Sequence, residues 1–186
     1  MTWVLVRHGQ TEWNRRGMIQ GQTDVPLNRR GKAQARAAGK LLRGEPLSLA
    51  LVSDLARARE TARLALGRRR VPTIVSSALR ELDFGKWEGL RAADIRARVP
   101  RARLGWMAGL PGRRYPAGEC FRDACARVRP VLAAAARRAR GGTVLVVGHQ
   151  GSLQAALVIL LGFRLAAGRL FRIPGWGLTR VETPKI

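Results

Sequence analysis

The sequence predicts an α/β fold in three layers, with helices on both faces of a largely parallel sheet. Apolar runs typical of buried strands alternate with segments of helical periodicity along the 186 residues. Three of these runs, at 3–6, 47–52 and 144–147, end at Gly or polar residues. Buried parallel strands have this pattern, and ligand sites lie just past their carboxyl ends.

Each predicted element follows from the spacing of its apolar residues. Short Val/Leu runs predict about six strands, and recurrence every three to four residues predicts helices. The predicted strands span 3–6, 47–52, 73–75, 144–147, 170–173 and 178–182. The predicted helices span 28–42 (with Asn28 as N-cap), 54–66, 90–99, 119–140 and 152–161. In the fourth helix the buried stripe is formed by Phe121, Ala124, Cys125, Val128, Leu132 and Ala135.

Length and composition predict one domain over residues 1–186. With 46% hydrophobic residues the chain can bury a substantial core, and we find no linker or internal repeat. The proline-rich segment at about 100–117 is interpreted either as a lid over the ligand site or as a surface excursion that packs Trp106 into a small satellite core. Its exposed-looking side chains are Trp106, Met107, Leu110, Arg113, Arg114 and Tyr115.

No targeting or membrane segment is expected. No apolar stretch approaches the roughly 18 residues that span a bilayer. The amino terminus enters the first strand directly, without the pattern of a secretory signal. We therefore expect a cytoplasmic protein without membrane contact, and a homodimer remains open.

The two cysteines do not form a recognisable metal or redox motif. Cys120 and Cys125 are five residues apart, which fits neither a zinc site nor a CxxC pair, so we expect small core-facing residues. The carboxylates do not cluster. We therefore expect no metal and no cofactor.

The net charge of +23 could support a nucleic-acid-binding function. However, the basic residues are spread over nearly every segment, and arginine greatly outnumbers lysine, as a compositional bias would also produce. We expect no specific nucleic-acid partner. A positive field should instead draw small anionic substrates towards the protein.

Two histidines and two arginines are predicted to meet at one edge of the sheet. His8 follows the first strand and His149 follows the strand at 144–147; the chain contains no other histidine. Arg7 precedes His8, and Arg57 lies in the first turn of the helix after the strand at 47–52. Together these side chains would form a pocket for a dianionic phosphate group.

Four ordered segments resemble the motifs of the histidine phosphatase (phosphoglycerate-mutase-like) superfamily. Residues 5–14 are similar to its first signature, 53–62 to its second arginine motif, 81–89 to its acidic motif and 148–151 to its second-histidine motif. The pattern differs from the common one at Asp54, Glu60 and Gln150, none of which removes a catalytic group. Gln150 with Gly151, the short chain and residues 170–176 resemble some alpha-ribazole phosphatases of cobalamin synthesis.

The resemblance implies phosphoryl transfer through a phosphohistidine. His8 is the expected nucleophile, and Arg7, Arg57 and His149 are expected to stabilise charge on the phosphoryl oxygens. Further donors are expected from Asn14, Gln20, Gln150 and the backbone amides after His8.

Glu81 is the expected general acid. Glu88 is a weaker candidate that could instead hold a loop. For Glu119, stabilisation of a helix amino terminus is an equally good interpretation.

The leading interpretation is a metal-independent phosphomonoesterase acting on small phosphate esters, with alpha-ribazole 5'-phosphate as the first named substrate. Phosphoglycerate-mutase-type transfer is the alternative within enzymes. A basic phospho-ligand or nucleic-acid binding module without turnover is the alternative from another class.

Overall fold

A single mixed sheet organises the protein. The computed structural model describes residues 1–100, 110–173 and 177–184, so Trp106, Met107 and Trp176 lie outside the described residues. Five strands pair in the order β3-β2-β4-β1-β5. Their bounds are β1 Thr2–Arg7, β2 Leu47–Ser53, β3 Thr73–Ser76, β4 Thr143–Gly148 and β5 Leu178–Glu182. The first four are parallel and β5 is antiparallel to β1, which confirms the predicted α/β sheet with five rather than six strands.

The predicted strand at 170–173 was wrong. Leu165–Leu170 forms a 3-10 helix, and residues 171–173 have no regular structure. The carbonyl of Phe171 accepts hydrogen bonds from the side-chain amides of Gln150 (3.1 Å) and Gln154 (2.8 Å). This segment is therefore bonded to side chains of a helix instead of to a neighbouring strand.

The five predicted helices are present, with small differences at their ends. The helix predicted at 119–140 starts two residues late, and the one predicted at 152–161 starts two residues early. The predictions missed the short α1, in which Thr11 is the N-cap. The helices are α1 Glu12–Arg15, α2 Arg29–Leu41, α3 Ala56–Leu66, α4 Ala92–Arg98, α5 Phe121–Ala139 and α6 Gln150–Leu161.

The sheet separates two hydrophobic layers. On one face, Val4 and Val6 of β1 pack with alanines of α2 and α3. On the other face, Trp3 and Leu5 pack with the apolar stripe predicted for α5 and with α6. Because side chains alternate along a strand, each central strand contributes to both layers.

The exposure predicted from the sequence is wrong for Tyr115 and is confirmed for the two cysteines. Tyr115, which looked exposed, is buried with 2% accessibility and lies between the rings of Phe84 and Trp87. Cys120 and Cys125 are buried free thiols, as predicted, and burial raises the pKa of Cys125 to about 12. Within the described ranges, no helix has the length and apolarity needed to cross a bilayer.

A close backbone contact joins the end of β1 to the start of α2. Asn28 is the N-cap of α2, as predicted, and its side chain accepts from the amide of Gly31 (2.8 Å). A Cβ built on Gly31 would collide with the carbonyl of Gln10, and one built on Gly9 would collide with the carbonyl of Gly31. The two glycines therefore allow the loop after β1 to lie directly on the helix.

Gly31→Ala should destabilise the protein by at least about 1–3 kcal/mol, because backbone atoms would have to separate to admit the methyl group. Gly44→Ala is the matched control, since no atom lies within 4 Å of a Cβ at that position. Denaturant unfolding of both variants checks this expectation. Equal stabilities for the two variants would contradict the contact.

Candidate active site

The carboxyl ends of β1, β2 and β4 bring the candidate residues together. Arg7 ends β1 and is paired in register with Gly148 at the end of β4. The amide of His8 donates to the carbonyl of Gly148 at 3.0 Å. The rings of His8 and His149, which directly follow these strand ends, have centroids 5.0 Å apart.

His8 is held in a neutral form with one ring nitrogen available. Its Nδ1 lies 2.7 Å from the carbonyl oxygen of Gly9. A carbonyl can only accept, so Nδ1 carries the proton and Nε2 keeps its lone pair. Burial lowers the pKa of His8 well below its ordinary value, and the positive charges of Arg57 and Arg7 lower it further. Nε2, which makes no hydrogen bond within the described residues, is the nitrogen left for the pocket.

His149 contacts Arg57 through Nδ1 and Ser53 through Nε2. The Nε–H of Arg57 lies 3.2 Å from Nδ1 of His149, and Ser53 Oγ lies 2.9 Å from Nε2. Because Arg57 can only donate, Nδ1 accepts and the ring proton is on Nε2 in this arrangement. Burial, His8 and the two nearby arginines lower the pKa of His149 well below its ordinary value. Ser53 is thus a partner of the site that the sequence prediction did not identify.

The two arginines are fixed before any ligand binds. Arg57 is fully buried, and its Nη1 and Nη2 donate to the carbonyls of Thr23 (2.8 Å) and Gly21 (2.7 Å). Nη1 of Arg7 donates to Oε1 of Gln150 at 3.2 Å. Burial lowers the pKa of both guanidiniums, and the negative charge of Glu81 opposes that shift. Preorganised cations of this kind stabilise an anion without further side-chain ordering.

A pocket of about 380 Å³ is formed over these groups. Its apolar part includes Met18, Ile19, Phe84 and Ala92. The predicted site residues that line it are Arg7, His8, Asn14, Gln20, Arg57, Glu81 and Gln150. His149 is not part of this lining and lies behind Arg57 and His8.

Asn14 and Gln20 present their amide nitrogens as remaining donors. The backbone amide of Thr11 donates to Oδ1 of Asn14 (3.1 Å). The hydroxyl of Thr11 donates to Oε1 of Gln20 (2.8 Å). With both oxygens engaged, the NH₂ groups are free to donate to a ligand. Gln150 differs, because its Oε1 accepts from Arg7 and its Nε2 donates to Phe171.

Glu81 has one oxygen fixed by two backbone amides. Oε1 accepts from Leu82 (2.9 Å) and Gly151 (2.8 Å). A Cβ built on Gly151 would collide with Leu82 and lie 2.5 Å from Oε1 of Glu81, so glycine is needed for this approach. Since Oε1 already receives two hydrogen bonds, a proton on this carboxyl would reside on Oε2.

The expected backbone donors after His8 are not available, so that expectation was wrong. The amide of Gly9 donates to the hydroxyl of Thr61 (3.1 Å), which itself donates to the carbonyl of Arg57 (2.7 Å). The amide of Gln10 donates to Oε1 of Gln34 at 2.8 Å. Thr61 therefore links the two motifs that carry His8 and Arg57.

Glu88 and Glu119 support the loops around the site. Oε2 of Glu88 accepts from the amide (2.9 Å) and hydroxyl (2.6 Å) of Thr23, which supports its interpretation as a loop-holding residue. Glu119 forms a 2.6 Å ion pair with Arg127. Arg127 also donates to the carbonyls of Ala78 and Glu81. The sequence analysis did not identify this ion pair as a support for the Glu81 loop, because Arg127 is far from residues 78 and 81 in the sequence.

Two expectations remain predictions after the geometry is known. The described part of the chain contains no group of three His, Cys, Asp or Glu side chains arranged for a metal ion; metal independence still requires a test. Of the segment predicted as a lid, Tyr115 lines a second cavity that also contacts Glu81, Phe84 and Gln150. Closure of this segment over the pocket stays a prediction, since residues 101–109 lie outside the described residues.

Comparisons with known proteins agree on the family. The model of the histidine phosphatase superfamily (branch 1) matches residues 3–185. A 2,3-bisphosphoglycerate-dependent phosphoglycerate mutase of Methylobacterium radiotolerans is 41% identical over 167 residues, covering 86% of this chain and 78% of that protein.

Two solved structures show the same similarity. The alpha-ribazole phosphatase of Shigella flexneri has a TM-score of 0.83 and 30% identity, with 98% of this chain and 90% of that chain covered. A mycobacterial glucosyl-3-phosphoglycerate phosphatase solved with VO3 has a TM-score of 0.84 and 33% identity, with 97% and 92% covered.

The lowered pKa values of the two histidines predict a loss of stability in mild acid. The unfolded chain takes up protons near pH 6.5, whereas the folded state resists protonation, so stability falls as pH decreases through this value. Each histidine should lower the free energy of unfolding by up to about 2 kcal/mol between about pH 7 and pH 5. Denaturant unfolding of the wild-type protein and His8→Gln checks this. The variant should lose less stability over that interval, and equal losses would contradict the neutral, buried state of His8.

Proposed function

Because the chain belongs to the histidine phosphatase superfamily, we propose that it is a metal-independent phosphomonoesterase that forms a phosphohistidine on Nε2 of His8. The observation that carries the proposal is the fixed tautomer of His8. Its Nδ1–H is bound to the carbonyl of Gly9, and its Nε2 lone pair is left beside the buried Arg57 and the half-buried Arg7. A neutral imidazole in this position is a nucleophile at neutral pH without loss of a proton.

In the first step Nε2 of His8 attacks phosphorus, and the bond from phosphorus to the ester oxygen breaks. The leaving oxygen needs a proton, and Oε2 of Glu81 supplies it while Oε1 stays on the amides of Leu82 and Gly151. In the second step the Glu81 carboxylate takes a proton from water. That water attacks the phosphohistidine and releases inorganic phosphate.

Arg7 and Arg57 stabilise charge on the nonbridging oxygens as the metaphosphate-like transition state forms. The NH₂ groups of Asn14 and Gln20 add donors at the pocket wall. We assign a positioning contribution to His149, because its Nδ1 accepts from Nε of Arg57 and so orients that guanidinium towards the phosphoryl group. Gln150 holds Arg7 at the edge of the same group.

The proposed substrates are small phosphate esters, with alpha-ribazole 5'-phosphate the first compound to examine. Support comes from the similarity to the Shigella flexneri alpha-ribazole phosphatase along nearly the whole chain. The apolar part of the pocket, formed by Met18, Ile19 and Phe84, would suit a ring-bearing leaving group.

Mutase chemistry is the second candidate, favoured by the relative from Methylobacterium radiotolerans. A mutase returns the phosphoryl group of the phosphohistidine to an organic hydroxyl, whereas a phosphatase transfers it to water. Products formed from 3-phosphoglycerate, with and without 2,3-bisphosphoglycerate, distinguish them. Inorganic phosphate as the main product supports the phosphatase, and 2-phosphoglycerate as the main product overturns it.

Hydrolysis of p-nitrophenyl phosphate should continue in EDTA and should be abolished in His8→Ala. The reason is that fixed arginines replace a metal ion, while no other group of the described site can accept the phosphoryl group in line. Release of p-nitrophenol measures turnover, and circular dichroism verifies that the variant folds. Turnover that disappears in EDTA, or that persists in the variant, would refute the mechanism.

Glu81→Gln should affect esters of alkyl alcohols far more than esters of activated phenols. A phenolate with a low pKa leaves without a proton, whereas an alkoxide does not, and general acids contribute about 10²–10⁴-fold. The kcat/KM values for p-nitrophenyl phosphate and an alkyl phosphate measure the difference. Glu88→Gln is the matched control, because Glu88 holds Thr23, whose carbonyl accepts from Arg57, and its loss should lower both values by a similar factor. Equal losses for the two esters in Glu81→Gln would exclude Glu81 as the acid.

A further inference from the structure

The helical layer formed by α2 and α3 is strongly basic. Residues 29–43 and residues 56–70 each contain six Lys or Arg side chains, and Glu60 is the one carboxylate in these two ranges. On the opposite face of the sheet, α6 carries no charged side chain, whereas α5 carries five arginines and one aspartate. Both helical layers are therefore basic, and the α2/α3 layer carries its cations on two adjacent helices.

A row of cations runs along the outer side of α2. Arg29, Arg36 and Lys40 are separated by seven and four residues, so they follow one line on a helix of 3.6 residues per turn, and Arg43 follows the end of the helix. All four are exposed, while Gly31, Ala35 and Ala38 are buried on the opposite side. At about 1.5 Å per residue, the part of the row on α2 is about 16.5 Å long.

The neighbouring helix extends this row into a surface. Arg59 and Arg63 lie on α3, Arg68 and Arg70 follow its end, and all four are exposed. The basic face is defined here as Arg29, Arg36, Lys40, Arg43, Arg59, Arg63, Arg68 and Arg70. Arg69 donates to the carbonyls of Leu42 (2.7 Å) and Glu45 (2.5 Å), which ties the ends of the two helices together. The ends of α2 and α3 that carry part of the basic face are therefore held together.

Few carboxylates neutralise this surface. Glu60 pairs with Lys32 (3.3 Å) and Arg63 (3.8 Å). Within the described residues, Arg29, Arg36, Lys40, Arg43, Arg68 and Arg70 form no ion pair with a carboxylate. Acidic groups elsewhere are occupied, for example Asp54 with Arg80 and Glu45 with Arg180.

We propose that the basic face is a second binding surface, which holds the phosphate backbone of double-stranded nucleic acid without sequence specificity. The duplex carries one negative charge per about 1.7 Å of its axis, so a row of cations about 16.5 Å long can contact several phosphates at once, whereas a small anion could contact only one or two of these cations. Residues 29–43 and 56–70 contain no aromatic side chain on which a base could stack. Binding is thus through phosphates alone.

The same surface lacks what a membrane-binding helix needs. Such helices insert apolar side chains beside their cations. The apolar residues of α2 and α3 pack against the sheet, and the large exposed hydrophobic residue described on these helices is Leu41, near the end of α2. The basic face is also distinct from the pocket, because Arg57 is buried and turned to the carbonyls of Gly21 and Thr23.

The test is fluorescence anisotropy with a duplex of about 20 base pairs that has 5'-hydroxyl ends, so that the pocket has no phosphomonoester to bind. We expect affinity to fall steeply with salt, with a log–log slope of about −0.9 for each phosphate contact. Replacing Arg29, Arg36, Lys40 and Arg43 together by Gln should reduce the magnitude of this slope by up to about 3.6. It should also weaken binding about tenfold or more at low salt. The double variant Arg36→Gln with Lys40→Gln, which is less invasive, should give about half that reduction in slope.

The matched control removes the same number of charges from the opposite face of the sheet. In this variant Gln replaces Arg122, Arg129, Arg137 and Arg138 of α5. It should bind the duplex nearly as the wild type does, and p-nitrophenyl phosphate turnover should be unchanged in all three variants. Equal weakening by the two quadruple variants would show that net charge, not the basic face, is responsible. Absence of duplex binding, or binding to vesicles of anionic lipid in place of the duplex, would also overturn the proposal.

Discussion

The hydrogen bond between Nδ1 of His8 and the carbonyl of Gly9 determines what the site can do. It assigns the ring proton to one nitrogen and leaves the lone pair on the other. Gly9 and Gly31 allow the loop that carries this carbonyl to pack directly on α2. The fold therefore specifies the tautomer through backbone contacts, with no carboxylate needed beside the histidine.

Burial affects the histidines and the arginine of the site in different ways. It keeps His8 and His149 neutral by lowering their pKa values, and it holds Arg57 in place among carbonyl oxygens. A dianionic phosphate group would balance the positive charges of Arg7 and Arg57 in this pocket. The result is a site whose nucleophile is uncharged while its surroundings are cationic.

Much of the fold and the candidate site could be predicted from the sequence because the signals are local. Continuous apolar runs ending at Arg7, Ser53 and Gly148 mark strand ends, and parallel strands necessarily bring their ends to one edge. Local signals could not exclude a strand at 170–173. The carbonyl of Phe171 accepts hydrogen bonds from Gln150 and Gln154 of α6, and such contacts with side chains of another element cannot be read from the local sequence. Ser53, Thr61 and Arg127 were missed as supporting residues for the same reason, since their partners lie far away in the sequence.

The most direct test of the account is the protonation state of His8 in the folded protein. With only two histidines, ¹⁵N-labelling of histidine gives spectra in which both rings can be assigned by the His149→Gln variant. The account predicts that at neutral pH the Nδ1 of His8 is protonated and its Nε2 has the shift of an unprotonated nitrogen. It also predicts that this pattern persists well below the pH at which an ordinary histidine titrates. An imidazolium, or a proton on Nε2 in the free protein, would contradict it.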